Sequence, residues 1–129
     1  ETVVPVSKLH PMQPQTSLPE VIGGLTRDGI GSGWVEHPEQ PGTLVGLLTD
    51  GDLRRALQDH TAERWSRLTA ADLMTSDPIT VGGDVLVVKA LERMEHNRRK
   101  PISVLPVVDA QKRLLGLLRL HDLVQAGLA

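Results

Sequence analysis

The stretch Gly46-Leu47-Leu48-Thr49-Asp50-Gly51-Asp52 carries the residues best suited to chemistry. A Leu- and Val-rich run, Thr43 to Thr49, ends there and reads as a strand buried on both faces. Asp50-Gly51-Asp52 then opens a helix through about Gln58. Backbone N–H groups in a helix's first turn have no partner within the helix and attract anions. Thr49 can offer its hydroxyl to a phosphate, and Asp52, within the first turn, can accept both hydroxyls of a ribose diol. Arg54 and Arg55 follow on the same helix, and one of them, Arg55 being the candidate, faces the mouth of such a site or a neighbouring subunit. The same residues also suit a helix start that binds nothing. Thr49 or Asp50 then serves as the N-cap, and an acid in the first turn is favoured by the helix dipole.

This stretch is written a second time. Leu44 to Leu57 aligns with Leu114 to Gly127 at an offset of 70, with identities at Leu44/Leu114, Gly46/Gly116, Leu47/Leu117, Leu48/Leu118, Asp52/Asp122, Leu53/Leu123 and Ala56/Ala126. The copies differ where the chemistry would lie. Arg119 replaces Thr49 and Leu120-His121 replace Asp50-Gly51, while Asp122 is kept. Arg119 can hold a phosphate or carboxylate with two parallel bonds, and His121 can add a donor whose charge depends on pH. Their plainer reading is a solvated strand-end residue and an N-cap neighbour.

Other chemistries find no support. The chain has no Cys, which removes disulfides, thiolate zinc sites and cysteine nucleophiles. No two of His10, His37, His60, His96 and His121 are spaced i,i+4, so no metal site is expected. There is no Gly-x-Ser-x-Gly, no Walker A loop and no distinguished acid–base pair, so no catalytic residues are assigned. A net charge of −2 argues against general nucleic-acid binding. Only Trp34 and Trp65 are aromatic, too few for a base-stacking platform. The basic run Arg98-Arg99-Lys100 suits a helix C-terminus and also an anionic ligand or a partner domain. With 129 residues, 40% hydrophobic, the chain is one compact unit's worth and can bury a core. Apolar runs such as Leu114 to Leu118 are too short to cross a bilayer, so a cytoplasmic location and no membrane partner are expected. The chain begins at Glu1 without a signal pattern and reads as a cut from a longer protein.

The elements that position these residues follow the repeat. Ser17 with Glu20 reads as a capping box opening a helix from Leu18 to Asp28, stopped by Gly29 and Gly31. Trp34-Val35 starts a strand, and Pro38 to Gly42 is a turn. Thr69 caps a short helix, Ala70 to Met74. In the second copy, Ile79-Thr80-Val81 is a strand, Asp84 caps a helix to about His96, Ser103 to Val108 and Leu114 to Arg119 are strands, and Asp122 begins the last helix. The fold class is α+β, two pseudo-symmetric βαββα repeats, 1–58 and 70–129, joined by a connecting segment 59–69.

The pattern resembles a tandem pair of CBS (cystathionine-β-synthase) domains, a Bateman module. It does so through Gly46 to Asp52, through Asp72-Leu73-Met74-Thr75 before Pro78-Ile79-Thr80-Val81, and through Leu105-Pro106-Val107-Val108-Asp109. Thr49 to Arg55 and Leu120-His121-Asp122-Leu123 with Ala126-Gly127 are similar to the C-terminal CBS pair of bacterial D-arabinose 5-phosphate isomerases. The resemblance implies a regulatory module without catalysis of its own. Its partner would be an N-terminal sugar-isomerase (SIS) domain, and two such pairs would dimerise, giving a tetramer of the whole protein. No cofactor would be required. The implied ligand is an anionic nucleotide or nucleotide sugar held by Thr49, Asp50, Gly51, Asp52, Arg55, Arg119, His121 and Asp122, with Thr80 reading a base through its backbone. Pathway logic makes CMP-Kdo the sharpest candidate. An adenosine nucleotide is the alternative, and a ligand-free assembly module using the leucine faces of Leu53, Leu57 and Leu123 is another.

Overall fold

A computed structural model describes residues 3–84 and 102–127, with Lys89, Glu92 and Met94 between them. In chain order the elements are β1 (Val3–Pro5), a 3-10 turn (Val6–Lys8), α1 (Leu18–Asp28), β2 (Ser32–Glu36), β3 (Leu44–Thr49), α2 (Asp50–Asp59), α3 (Ala62–Trp65), α4 (Ala70–Leu73), β4 (Thr75–Ser76), β5 (Val81–Gly82), β6 (Val104–Val108), β7 (Leu114–Arg119) and α5 (Leu120–Gln125). The mixed α+β class is as expected. The helix expected from Asp84 to His96 and the basic run 98–100 lie outside the described residues, apart from the helical Lys89, Glu92 and Met94 and the turn residue Asp84.

The chain folds as two compact units, Leu9–Pro78 and Ile79–Ala129 together with the residues up to Lys8. In the first, β3 lies between β2 and β4, all antiparallel. Met12 adds a parallel bridge to Val35 on the outer edge of β2. Helix α1 buries Leu18, Val21 and Leu25, spaced three and four apart, against Met12, Val35 and Leu48. Each such side chain contributes about 1.5–3 kcal/mol when removed from water. Gly29 ends α1 in the left-handed region at φ 67°, where a residue without Cβ is unstrained. Ser17 is the N-cap, but its hydroxyl donates to Glu20 Oε1 at 3.0 Å and makes no bond to the helix backbone, so the expected capping box is not formed.

The second unit repeats this plan. Strand β7 lies between β1 and β6, and β5 runs parallel to β6 as Met12 does to β2. Its core joins Val81, Met94, Leu105, Val107, Leu118 and Leu123. Both hairpins carry a register shift at the same place, between Val35 and Glu36 and between Val107 and Val108. Strand β1 had no signal in the sequence, being three residues ending in Pro5. It joins this unit because β7 offers an antiparallel edge, and so the spatial division differs from the 1–58 and 70–129 repeats. Several expected boundaries also move: β2 starts at Ser32 rather than Trp34, α4 ends at Leu73 rather than Met74, β5 is Val81–Gly82 rather than Ile79–Val81, and the last helix starts at Leu120 rather than Asp122.

The repeated glycine, Gly46 or Gly116, sits where the edge segment crosses the central strand. Gly116 pairs with Pro5, and a Cβ there would fall onto the Val4 carbonyl oxygen and Val3 Cγ1. At Gly46, which pairs with Ser76, it would fall onto the Met74 side chain. Backbone cannot yield as a methionine side chain can. Gly116→Ala is therefore expected to lower stability by about 1–3 kcal/mol, the cost of overpacking, and Gly46→Ala by less. Urea denaturation of both variants checks the order.

Candidate functional site

Each central strand runs directly into a helix, β3 into α2 and β7 into α5. The residue at each turn, Thr49 or Arg119, is extended, with φ −121° and −105°. The next N–H leaves the helix and bonds to the neighbouring strand's entry. Asp50 N–H donates to Gly31 O at 2.9 Å, and Leu120 N–H donates to Ser103 O at 2.8 Å. This explains why the last helix begins at Leu120: its register is set by the strand-to-helix turn, not by the first acid.

On this shared backbone the side chains differ. At the first junction Thr49 and Asp52 form a reciprocal cap. Asp52 N–H donates to Thr49 Oγ1 at 3.2 Å, while the Thr49 N–H and hydroxyl donate to Asp52 Oδ2 at 3.0 and 3.1 Å. The other carboxylate oxygen, Oδ1, accepts from Arg55 Nη2 at 2.5 Å. The Asp52 side chain is 10% exposed and that of Arg55 is 50% exposed. Gly51 puts no side chain of its own over the first turn. A Cβ there would lie 3.4 Å from Arg55 Nη1, 3.6 Å from Thr49 Oγ1 and 3.8 Å from Arg54 Nη2. A hydroxyl and two guanidiniums thus gather over one turn of a ten-residue helix. Asp50 is turned the other way, its Oδ2 against Gly31, which takes φ 76°.

At the second junction the cap is replaced by a fork. Arg119 Nε donates to Asp122 Oδ2 and Nη2 to Oδ1, both at 2.8 Å. The hydrogen bonds from Arg119, with its charge and that of His121, outweigh partial burial and hold the Asp122 carboxyl below its usual range. The guanidinium that the sequence suggested for a ligand's phosphate or carboxylate is here engaged with the chain's own acid. His121 is exposed at the position matching Gly51.

Thr49, Asp50, Gly51, Asp52 and Arg55 are therefore brought together in one unit. Arg119, His121 and Asp122 come together in the other, and Thr80 belongs to that unit as well. Thr80 immediately precedes β5, whose Val81 pairs with Val107 of β6. Arg54 and Gly31 are contributions that the sequence reading undervalued. Gly31 was legible only as a helix stop, and Arg54 was not separable from Arg55. Among the described residues no group of acids and histidines could hold a metal, and no helix is long and apolar enough to cross a membrane.

The CBS domain family matches residues 70–129. The chain is 42% identical over 114 residues to arabinose 5-phosphate isomerase KdsD of Pseudomonas aeruginosa, covering 87% of this chain and 32% of that protein. It is 34% identical over 111 residues to arabinose 5-phosphate isomerase KpsF of Escherichia coli, covering 86% of this chain and 32% of that one. The chain thus spans about a third of the length of these curated relatives. Among solved structures, CBSX2 in complex with AMP superposes with a TM-score of 0.77 at 28% identity, over 98% of this chain and 92% of that one. A structure of the CBS-pair protein CBSX2 from Arabidopsis thaliana superposes with a TM-score of 0.75 at 28% identity, over 98% of this chain and 91% of that one.

Because the Asp122 pKa is lowered by folding, its contribution to stability is present above the unfolded value of about 3.9 and lost as pH falls through the folded one. Arg119→Ala removes the fork, at a cost of about 1–2 kcal/mol near neutral pH, given a partly exposed pair. The stability gap between the native chain and this variant is expected to close as pH falls from about 5 to 2. Denaturation curves across that range measure it.

Proposed function

This chain is a CBS domain pair, and we propose that it forms the regulatory, ligand-binding part of a D-arabinose 5-phosphate isomerase. The observation that carries the reading is 42% identity to KdsD across both repeats, within only 32% of that protein's length. The remainder of such a protein, a sugar-isomerase domain, would interconvert the aldose D-arabinose 5-phosphate and the ketose D-ribulose 5-phosphate. The pair itself would take no part in that interconversion. It would report on a ligand to the catalytic domain, in a cytoplasmic assembly built from dimers of CBS pairs, tetrameric in the whole protein.

The ligand is an anionic nucleotide or nucleotide sugar, with CMP-Kdo as the first candidate. Its ribose diol suits Asp52, whose Oδ1 meets only the half-exposed Arg55 among the bonds described above. An exposed ion pair is a small loss to water. Its phosphate suits the α2 N-terminus with Thr49 and Gly51, and its carboxylate suits Arg54 or Arg55. Asp50 frames the turn from the Gly31 side. Thr80, Arg119, His121 and Asp122 lie in the other unit, around a junction of different chemistry. An adenosine nucleotide is the second reading, favoured by the AMP complex of CBSX2.

A thermal-shift series with CMP-Kdo, CMP, AMP, ADP and ATP tests this. A ligand at 100 times its dissociation constant adds about 2.7 kcal/mol to folding stability. CMP-Kdo is expected to raise the melting temperature most, and Asp52→Ala to remove the rise while costing about 1 kcal/mol of cap. A larger rise with AMP or ATP selects the adenosine reading, and no rise with any of the five sinks nucleotide sensing.

A further inference from the structure

We infer that the Arg119–Asp122 fork closes the second strand–helix junction to ligand, so that one chain takes one nucleotide, at Thr49 to Asp52. The inference rests on the reading of that first junction as a nucleotide site. The two junctions share their backbone, down to the bond from the first helical N–H to the entry of the neighbouring strand. Any difference in what they bind must come from side chains.

A carboxylate recognises a vicinal diol by accepting a hydrogen bond from each hydroxyl. Asp122 has each oxygen already engaged by a nitrogen of one planar guanidinium at 2.8 Å. Both side chains are largely shielded, 22% and 23% exposed. A diol would have to break two charge-assisted bonds at once and leave Arg119 without the acid it was built against. Asp52 differs. Its side chain, 10% exposed, is shielded as well and its Oδ2 accepts from the Thr49 N–H and hydroxyl, so the difference lies in the cation on its other oxygen. Its Oδ1 meets a guanidinium that is half in water and can turn away.

The positions around the acid point the same way. Gly51, which has no side chain over the helix start, is matched by His121, and Arg54 and Arg55 are matched by Val124 and Gln125. No guanidinium follows the second acid to meet a phosphate. Leu120, in the place of Asp50, packs against the second unit's core. Arg119 acts here as an internal counter-ion, in the position a ligand would use.

The test is calorimetry of this chain with CMP-Kdo, CMP and AMP, with amide spectra recorded along each titration. The expected result is one equivalent bound per chain. The Gly51 and Asp52 amides shift, while those of His121 and Asp122 and the Arg119 Nε–H stay in place. Arg119→Ala combined with Asp122→Asn leaves the affinity within about twofold, whereas Asp52→Asn weakens it about tenfold or more, the loss of a hydrogen bond to a charged group. The spectra need no substitution, so they decide even where a variant folds poorly. Two equivalents per chain, or shifts at His121 and Asp122 instead of Gly51 and Asp52, overturn the inference and leave nucleotide binding standing. No binding of any of the three probes overturns both.

Discussion

A strand that enters a helix without a loop must satisfy the helix's first N–H somewhere other than in the helix. Here that N–H reaches sideways to the carbonyl at the entry of the adjacent strand, Asp50 to Gly31 and Leu120 to Ser103. The bond ties three elements together and sets the register of each helix. It also keeps Thr49 and Arg119 extended, so that their side chains point at the acid three residues on. The Leu53, Ala56 and Leu57 face of α2 packs on its sheet, and Leu123 of α5 is fully buried, from this common starting point. Remove the sideways bond and neither the packing nor the junction chemistry has a fixed frame.

Within that frame the two repeats solve the same problem with different chemistry. A hydroxyl and a carboxylate cap α2 reciprocally, satisfying orphan N–H groups at the helix start. The shorter α5 has no side-chain cap on its backbone and instead carries a guanidinium–carboxylate pair. The first solution leaves two guanidiniums beside Gly51. The second neutralises charge inside the chain. Matching strand-to-helix turns therefore carry unequal electrostatics, and this is the physical content of the pair's pseudo-symmetry.

The close crossing at Gly46 and Gly116 is the second shared constraint. The glycine was visible as a repeated letter, and its cause was not. Only the paired register shows β1 passing over Gly116, and Met74, just ahead of β4, lying on Gly46. Strand β1 itself escaped the sequence reading because three residues carry no usable alternation, and β4 with only two carries less. Helix α3, four residues long, was hidden in a polar connecting segment for the same reason.

Sequence alone determined what depends on local order: the doubled pattern, α1 at Leu18–Asp28 with its glycine stop, β7 at Leu114–Arg119, and the grouping of Thr49, Asp52 and Arg55 on one strand–helix turn. These rest on periodicity, turn residues and spacings of three or four, which act within a few residues of chain. Tertiary structure decided what depends on contacts distant along the chain. It placed β1 on β7, started α5 at Leu120 through a bond to Ser103, and turned Asp50 toward Gly31. It also gave Arg119, read from sequence as a ligand-holding or a solvated strand-end residue, a partner in its own chain. Spacing alone does not aim a guanidinium, and the folded positions of Arg119 and Asp122 bring them to 2.8 Å at both contacts.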